Sequence, residues 1–226
     1  MISHEKKFIF IHIPRTGGNT LSNFLRPYCD EESLAFSPFK DKGNLHATIR
    51  DYMMKYGTQI LEEYTIFTVI RNPWARALSW SIHNFGGEFN RDHFRECVFR
   101  PHKNDFWPWS HFHFLVKSNT GKMPDGSLAL PISYPTQHSL EGVKFFQERI
   151  FFPHFIRFEN YASEIANMFD KLKIEYNFND LNVKSNNHPH EHYSHYYLDD
   201  EIKEIREVCG FDLQMFGYTF DDRRNK

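Results

Sequence analysis

The sequence has only three cysteines, Cys29, Cys97 and Cys209, widely separated among 226 residues and without a CxxC pair. That excludes a disulfide framework and a cysteine zinc site, and it predicts reduced thiols. Long apolar runs are missing as well. The longest, Phe8 to Ile13, is interrupted by His12 and falls far short of the roughly 20 residues a helix needs to cross a bilayer. Charge of one sign is also lacking: 27 Lys and Arg against 29 Asp and Glu give a net charge of −2, so there is no global basic field for nucleic acid. Any anion site has to be built locally. No repeat, low-complexity linker or block of like charge divides the chain, which predicts one domain over residues 1–226. MISHEKK enters the first apolar run with no longer h-region or small-residue cleavage site, so the expectation is a cytoplasmic protein.

What is present suits a globular chain. Forty per cent hydrophobic, 17% aromatic and 25% charged residues supply a core and exclude disorder. Lys7 to Ile13 (KFIFIHI) reads as a strand covered on both faces, and Leu21, Phe24 and Leu25 mark the helix that follows. Thr48 with Asp51 signals a helix start ahead of Ile49, Tyr52, Met53 and Tyr56. Tyr64 to Ile70 (YTIFTVI) reads as a second strand. Asn72 and Pro73 then open a helix that buries Ala77, Leu78, Ser81, Ile82 and Phe85. A strand near Phe155 to Phe158 precedes a helix carrying Tyr161, Ile165, Met168, Phe169 and Leu172. The last helix starts at Asp199 or Asp200 and stops at Gly210. Strands alternating with helices predict an α/β fold with a central, mainly parallel sheet flanked by helices.

The most informative turn is PRTGGNT, between the first strand and its helix. Gly17 and Gly18 let backbone N–H groups approach a ligand, the helix N-terminus adds donors and a positive dipole, and phosphate is the natural guest. Arg15 supplies a fixed cation; Thr16, Asn19 and Thr20 supply short hydrogen-bonding side chains. A plainer account stands beside this one, a turn that uses glycine for geometry alone. Neither a Walker A loop nor a GxGxxG is present, since the only GK, Gly121–Lys122, is followed by Met123. A second segment, RNPWARALSW, lies at the carboxyl end of the second strand, where open α/β sheets place ligands. Arg71 sits at the strand end, and Arg76, Ser79 and His83 fall on one helix face. The plainer account of Arg76 is a solvated arginine.

PRTGG after a strand, then RNPxxRxxS about 50 residues on after another strand, resembles the sulfotransferase family that uses 3′-phosphoadenosine 5′-phosphosulfate (PAPS), in particular its carbohydrate branch. IRFENY at Ile156–Tyr161 and the tract from His192 to Phe220 are similar to later blocks of that family, whereas Phe85 to Arg149 is not. The resemblance implies a nucleotide-kinase-like, P-loop-like sulfotransferase fold. It implies that Arg15, Thr16, Gly17, Gly18, Asn19 and Thr20 cradle the 5′-phosphosulfate and that Arg71 and Ser79 bind the 3′-phosphate. Arg15 departs from the family, which most often has lysine there to neutralise charge as sulfate leaves. The implied reaction moves a sulfuryl group to an acceptor hydroxyl, of a carbohydrate on the branch most resembled.

Such a transfer needs a base for the acceptor proton and a fixed cation for the departing phosphate, and it needs no metal clamp, because a sulfuryl group carries less charge than a phosphoryl group. His46, just ahead of a helix start, is the candidate base, with His12 and His83 as alternatives. His111 and His113, and His188, His190, His192 and His195, lie in loop-like stretches that do not read as a metal site. Lys184 or Ser185 is a candidate phosphate contact, and Trp107, Trp109, Phe112 and Phe114 a candidate acceptor platform. The expected partner is a small-molecule or glycan acceptor. Two rival readings are a magnesium-dependent phosphoryl-transfer enzyme of similar fold and a nucleotide-binding module without turnover.

Overall fold

A computed structural model of the chain describes residues 1–31, 46–99, 121–122, 128–129, 154–177 and 190–224. They group into two compact units, Met1–Ile70 with Phe114–Pro135 and Lys144–Ser185, and Arg71–His113 with Thr136–Val143 and Asn186–Lys226.

The first unit is built on a four-stranded sheet. Its short edge strand β1 (Ile2–Ser3) runs antiparallel to β2 (Phe8–Ile11), while β2 pairs in parallel with β3 (Thr65–Ile70), Phe10 facing Phe67. A short antiparallel ribbon joins β4 (Gly121–Lys122) and β5 (Leu128–Ala129). Strand β6 (His154–Arg157) completes the sheet in the order β1-β2-β3-β6, again parallel to β3. Every residue of β2 is buried, as expected for a strand covered on both faces. The one polar side chain in the middle of β3, Thr68, donates its hydroxyl hydrogen to Ile11 O at 2.7 Å, so its burial leaves no donor unmade.

Helix α1 (Gly18–Leu25) follows β2; α2 (Ile49–Tyr56) and the single turn α3 (Ile60–Glu63) lead into β3. Thr48 caps α2 in a complete capping box: Asp51 N donates to the Thr48 hydroxyl and Thr48 N donates to the Asp51 carboxylate. Phe8, Phe10 and Phe67 from one sheet face share a core with Leu21 and Leu25 of α1 and Phe169 of α6 (Tyr161–Leu172). Full burial of such a side chain is worth about 1.5–3 kcal/mol. The turn between β2 and α1 is therefore clamped at both ends.

The second unit is helical among its described residues. It comprises α4 (Pro73–Asn84), α5 (Arg91–Phe99), a 3-10 turn at Tyr193–Tyr196, α7 (Asp199–Val208) and α8 (Gly210–Phe216). Trp74, Leu78, Phe94, Tyr197, Ile202 and Ile205 belong to its core. Trp74 Nε1 donates to Ile202 O at 3.2 Å and Tyr197 OH to Trp74 O at 2.8 Å, so the two aromatics join α4 to α7 with their polar ends satisfied. Glu201 is buried at the third position of α7, where it accepts from Leu198 N, Arg91 Nη1 (2.6 Å) and Arg95 Nε (2.8 Å). Two guanidinium groups on α5 thus neutralise a carboxylate that burial would otherwise penalise.

The α/β class with a mainly parallel sheet stands, as do the expected strands and helix starts. Two expectations change. Phe85 does not belong to the buried side of α4; it caps the helix end and is 42% exposed. Gly210 does not end the last helix in a left-handed cap: the chain bends at Cys209 and Gly210 opens α8. Helix α5 and strand β1 were not anticipated. Among the described residues, no helix is long and apolar enough to cross a membrane.

Candidate functional site

The turn PRTGGNT is held from behind by side chains rather than by its own capping. Arg15 (φ 64) and Gly17 (φ 86) both lie in the left-handed region, and buried Thr16 between them donates its hydroxyl to Ile13 O at 2.8 Å. A Cβ on Gly17 would stand 3.0 Å from both the Phe158 and the Tyr161 rings, and one on Gly18 only 2.1 Å from His12 Cδ2. Packing behind the turn therefore requires both glycines whatever the turn binds, which gives the plainer account of the pair its physical basis. The case for an anion rests on other features. No side chain caps α1, no acidic residue lies in its first turn, and half-buried Arg15 sits at its entrance. An uncapped helix start with a cation beside it presents N–H donors and positive potential together. Burial lowers the Arg15 pKa from its usual 12.5, and a guanidinium still keeps its proton near neutrality.

His46 belongs to the same unit. Its Nδ1 lies 2.9 Å from His12 O, and since a carbonyl only accepts, Nδ1 carries the hydrogen and the neutral ring has its lone pair on Nε2. Two residues later the capping box fixes the start of α2, so the imidazole is carried by a rigid support. The His12 and His46 rings meet edge-on at 4.6 Å. His12 is buried just past the end of β2, an interior strand and not a sheet edge, with its Nδ1 3.3 Å from Ser22 Oγ. Burial first, and then His46, push the His12 pKa well below 6.5, so His12 stays neutral beside the candidate base.

The second motif lies in the other unit. Asn72 caps α4, its side-chain oxygen accepting from Trp74 N (3.1 Å) and Ala75 N (3.3 Å), with Pro73 at the first helical position. Asn72 Nδ2 also donates to Thr219 O at 3.0 Å, which ties the carboxyl-terminal segment to the helix start. Arg71 is half-buried. Arg76 is not solvated: it is 1% exposed, burial lowers its pKa to about 10, and the charge of Asp212, itself buried, opposes that shift. Ser79 shares its buried side at 4% exposure, whereas His83 is exposed and does not continue that face.

The residues singled out in the sequence thus divide. Arg15, Thr16, Gly17, Gly18, Asn19, Thr20 and His46 belong to the first unit, Arg71 and Ser79 to the second. His192 serves structure: it accepts from Ser194 N, lies 2.9 Å from Ser194 Oγ, and places Nε2 3.6 Å from Asp221. Among the described residues, no three metal-ligating side chains come together. Trp107, Trp109, His111, Phe112, His113, Phe114, Lys184, Ser185 and His188 lie outside the described residues. Among the described residues, Cys29 and Cys209 are in no disulfide. Sequence reasoning took Tyr161 as a helix residue only, yet its hydroxyl donates to Gly17 O at 2.7 Å. No local pattern signals a contact 144 residues apart.

Comparison with known proteins agrees with the motifs. A protein of Arabidopsis thaliana named protein-tyrosine sulfotransferase is 38% identical over 79 residues, which cover 31% of this chain and 16% of that protein. No solved structure gives a significant match. The family model described as "Sulfotransferase family" matches residues 1–219, a span that takes in both glycine turn and RNP motif. A match from the first strand to the carboxyl-terminal segment is a match to the whole fold, and the chain belongs to the sulfotransferase family.

Proposed function

We propose that the chain transfers a sulfuryl group from PAPS to an acceptor hydroxyl, with His46 as base, the turn from Arg15 to Thr20 on the 5′ side, and Arg71 and Ser79 on the 3′-phosphate. The observation that carries the reading is the pairing, within one unit, of an uncapped helix start beside Arg15 with a histidine whose Nδ1–H is committed to a carbonyl. PAPS brings an activated sulfur with a phosphate leaving group, and the protein supplies position and charge. His46 Nε2 takes the acceptor proton as the acceptor oxygen bonds to sulfur. The bond from sulfur to the bridging phosphate oxygen breaks, and its electron pair leaves with the 5′-phosphate. Arg15 and the first-turn N–H groups of α1 meet the negative charge that collects there, the role of preorganised donors in other group transfers.

The acceptor in this reading is a carbohydrate hydroxyl, from the motif resemblance. A tyrosine phenol is the second reading, favoured by the name of the Arabidopsis thaliana relative. Thermal unfolding tests the nucleotide: 3′-phosphoadenosine 5′-phosphate at 100 times its Kd adds about 2.7 kcal/mol, and AMP or ATP with magnesium does not reproduce it. Arg71→Ala abolishes that shift. Labelled PAPS offered with EDTA to sugar and tyrosine-peptide acceptors then identifies the acceptor, and His46→Ala lowers kcat about 10²- to 10⁴-fold. Stabilisation by ATP and magnesium alone would overturn the proposal in favour of phosphoryl transfer. Nucleotide binding without transfer to either acceptor class would favour the binding module.

A further inference from the structure

Helix α1 begins differently from its neighbours. In α2, α4 and α7 the capping residue's carbonyl accepts the first helical bond, from Tyr52 N to Thr48 O (3.3 Å), Arg76 N to Asn72 O (2.9 Å) and Ile202 N to Leu198 O (3.0 Å). In α1 the capping residue's carbonyl also accepts from outside the helix, from the phenol of Tyr161. The phenol donates to Gly17 O at 2.7 Å and receives the backbone hydrogen bond of Leu21. The ring is close enough to Gly17 that a Cβ there would be 3.0 Å from Cε2.

A trans peptide points its C=O and N–H in opposite directions, so fixing one end fixes the other. Gly17 has no Cβ to choose between alternative peptide orientations, and neither has Gly18. The external hydrogen bond makes the choice. We infer that Tyr161 is a positioning residue for the anion turn: by holding Gly17 O away from the helix axis it aims the Gly18 N–H into the turn, where the 5′-phosphate of the donor is bound. The inference rests on the proposed function. Burial raises the phenol pKa above its ordinary 10, so the hydroxyl remains a donor over the working pH range. When the phenol oxygen is absent, the Gly17–Gly18 peptide loses its external anchor and the Gly18 N–H is no longer held on the ligand.

Tyr161→Phe keeps the ring against Gly17 and removes only the oxygen. Adenosine 3′,5′-bisphosphate and adenosine 3′-monophosphate are titrated by calorimetry into wild type, Tyr161→Phe and Phe158→Leu, which alters the other ring against Gly17 without touching a hydrogen bond. The expected result is a Kd for the bisphosphate raised about tenfold or more in Tyr161→Phe. Its Kd for the 3′-monophosphate stays as in wild type, and its melting temperature changes little. A purely structural role would lower the melting temperature and leave the ratio of the two affinities unchanged, as expected for Phe158→Leu. An unchanged ratio in Tyr161→Phe overturns the inference, whereas failure of wild type to bind the bisphosphate overturns the proposed function instead. Should Tyr161→Phe not fold, ¹⁵N-glycine labelling of wild type decides: the Gly18 amide signal must move with the bisphosphate and not with the 3′-monophosphate, and equal shifts with both overturn the inference.

Discussion

Replacing Gly18 by alanine reverses the usual effect of that substitution. In a helix the change ordinarily stabilises by about 0.5–1 kcal/mol, because alanine loses less backbone freedom on folding. At Gly18 the new methyl would stand 2.1 Å from His12 Cδ2, 2.2 Å from Nε2 and 2.9 Å from Cγ, all well inside contact distance. The imidazole has nowhere to retreat. It is buried, stacked on Phe10 at 5.7 Å and edge-on to His46 at 4.6 Å, with Ser22 3.3 Å from Nδ1. Overpacking of this kind costs about 1–3 kcal/mol, which exceeds the propensity gain, so Gly18→Ala is expected to destabilise by about 1–2 kcal/mol. Urea unfolding measures it as a lower midpoint at constant slope. A double-mutant cycle with His12→Ala isolates the cause: in that background the methyl has room, Gly18→Ala becomes neutral or stabilising, and the coupling is about 1–3 kcal/mol. A neutral or stabilising Gly18→Ala in the wild-type background would refute the account of the glycine pair.

Arg76→Met leaves the Asp212 carboxylate buried without its opposing charge and should cost about 3–5 kcal/mol, with Arg76→Met/Asp212→Asn recovering much of it; equal stability of single and double variants in urea would refute the pairing. Arg15→Gly relieves a left-handed backbone that costs a non-glycine residue about 1–2 kcal/mol, so unfolding stability holds or rises slightly while nucleotide binding falls; a large loss of stability would show that Arg15 is structural. His12 is depressed by burial and then by His46, so below about pH 6.5 the unfolded chain binds a proton that the folded chain refuses. Its contribution is complete above that pH and is lost as pH falls, by up to about 1.4 kcal/mol per pH unit. Comparing unfolding at pH 7.5 and 5.5 in wild type and His12→Gln checks this, and the same slope in both would refute it.

Much of the fold was legible because its signals are local. A short run of β-branched and aromatic apolar residues suits a strand covered on both faces, and Phe8–Ile11 and, with Thr68 as its central polar residue, Thr65–Ile70 are such strands. Thr48 with Asp51, and Asn72 with Pro73, satisfy the first N–H groups of a helix with atoms two or three residues away, so the sequence window contains the whole interaction. Helix α5 carries no clear apolar stripe in sequence because Arg91, Asp92, Arg95 and Glu96 are charged and Phe94 is its one core side chain among those described. Its arginines are held by Glu201, a partner that no window includes. Gly210 was misread for a related reason. Glycine after a helix permits a left-handed stop, but Cys209 makes the bend, and Gly210 keeps a negative φ at the start of α8.

The candidate site divides along the same line. Periodicity placed Arg76 and Ser79 on one face of α4, and they share one; it could not tell whether that face meets solvent, because a buried guanidinium depends on a carboxylate supplied by α8. The glycine pair shows the limit most plainly. Two adjacent glycines after a strand signal that side chains are forbidden there, which fits either a ligand in front of the turn or the geometry of the turn alone. The rings of His12, Phe158 and Tyr161 behind it are sufficient cause. What packing alone does not require is the other half of the arrangement: a helix start without a capping side chain or acidic residue, and a histidine whose Nδ1–H is fixed on a backbone carbonyl. Donors left uncapped beside a half-buried arginine lower stability unless something negative arrives, and a turn built so rigidly from behind holds them aimed while it waits.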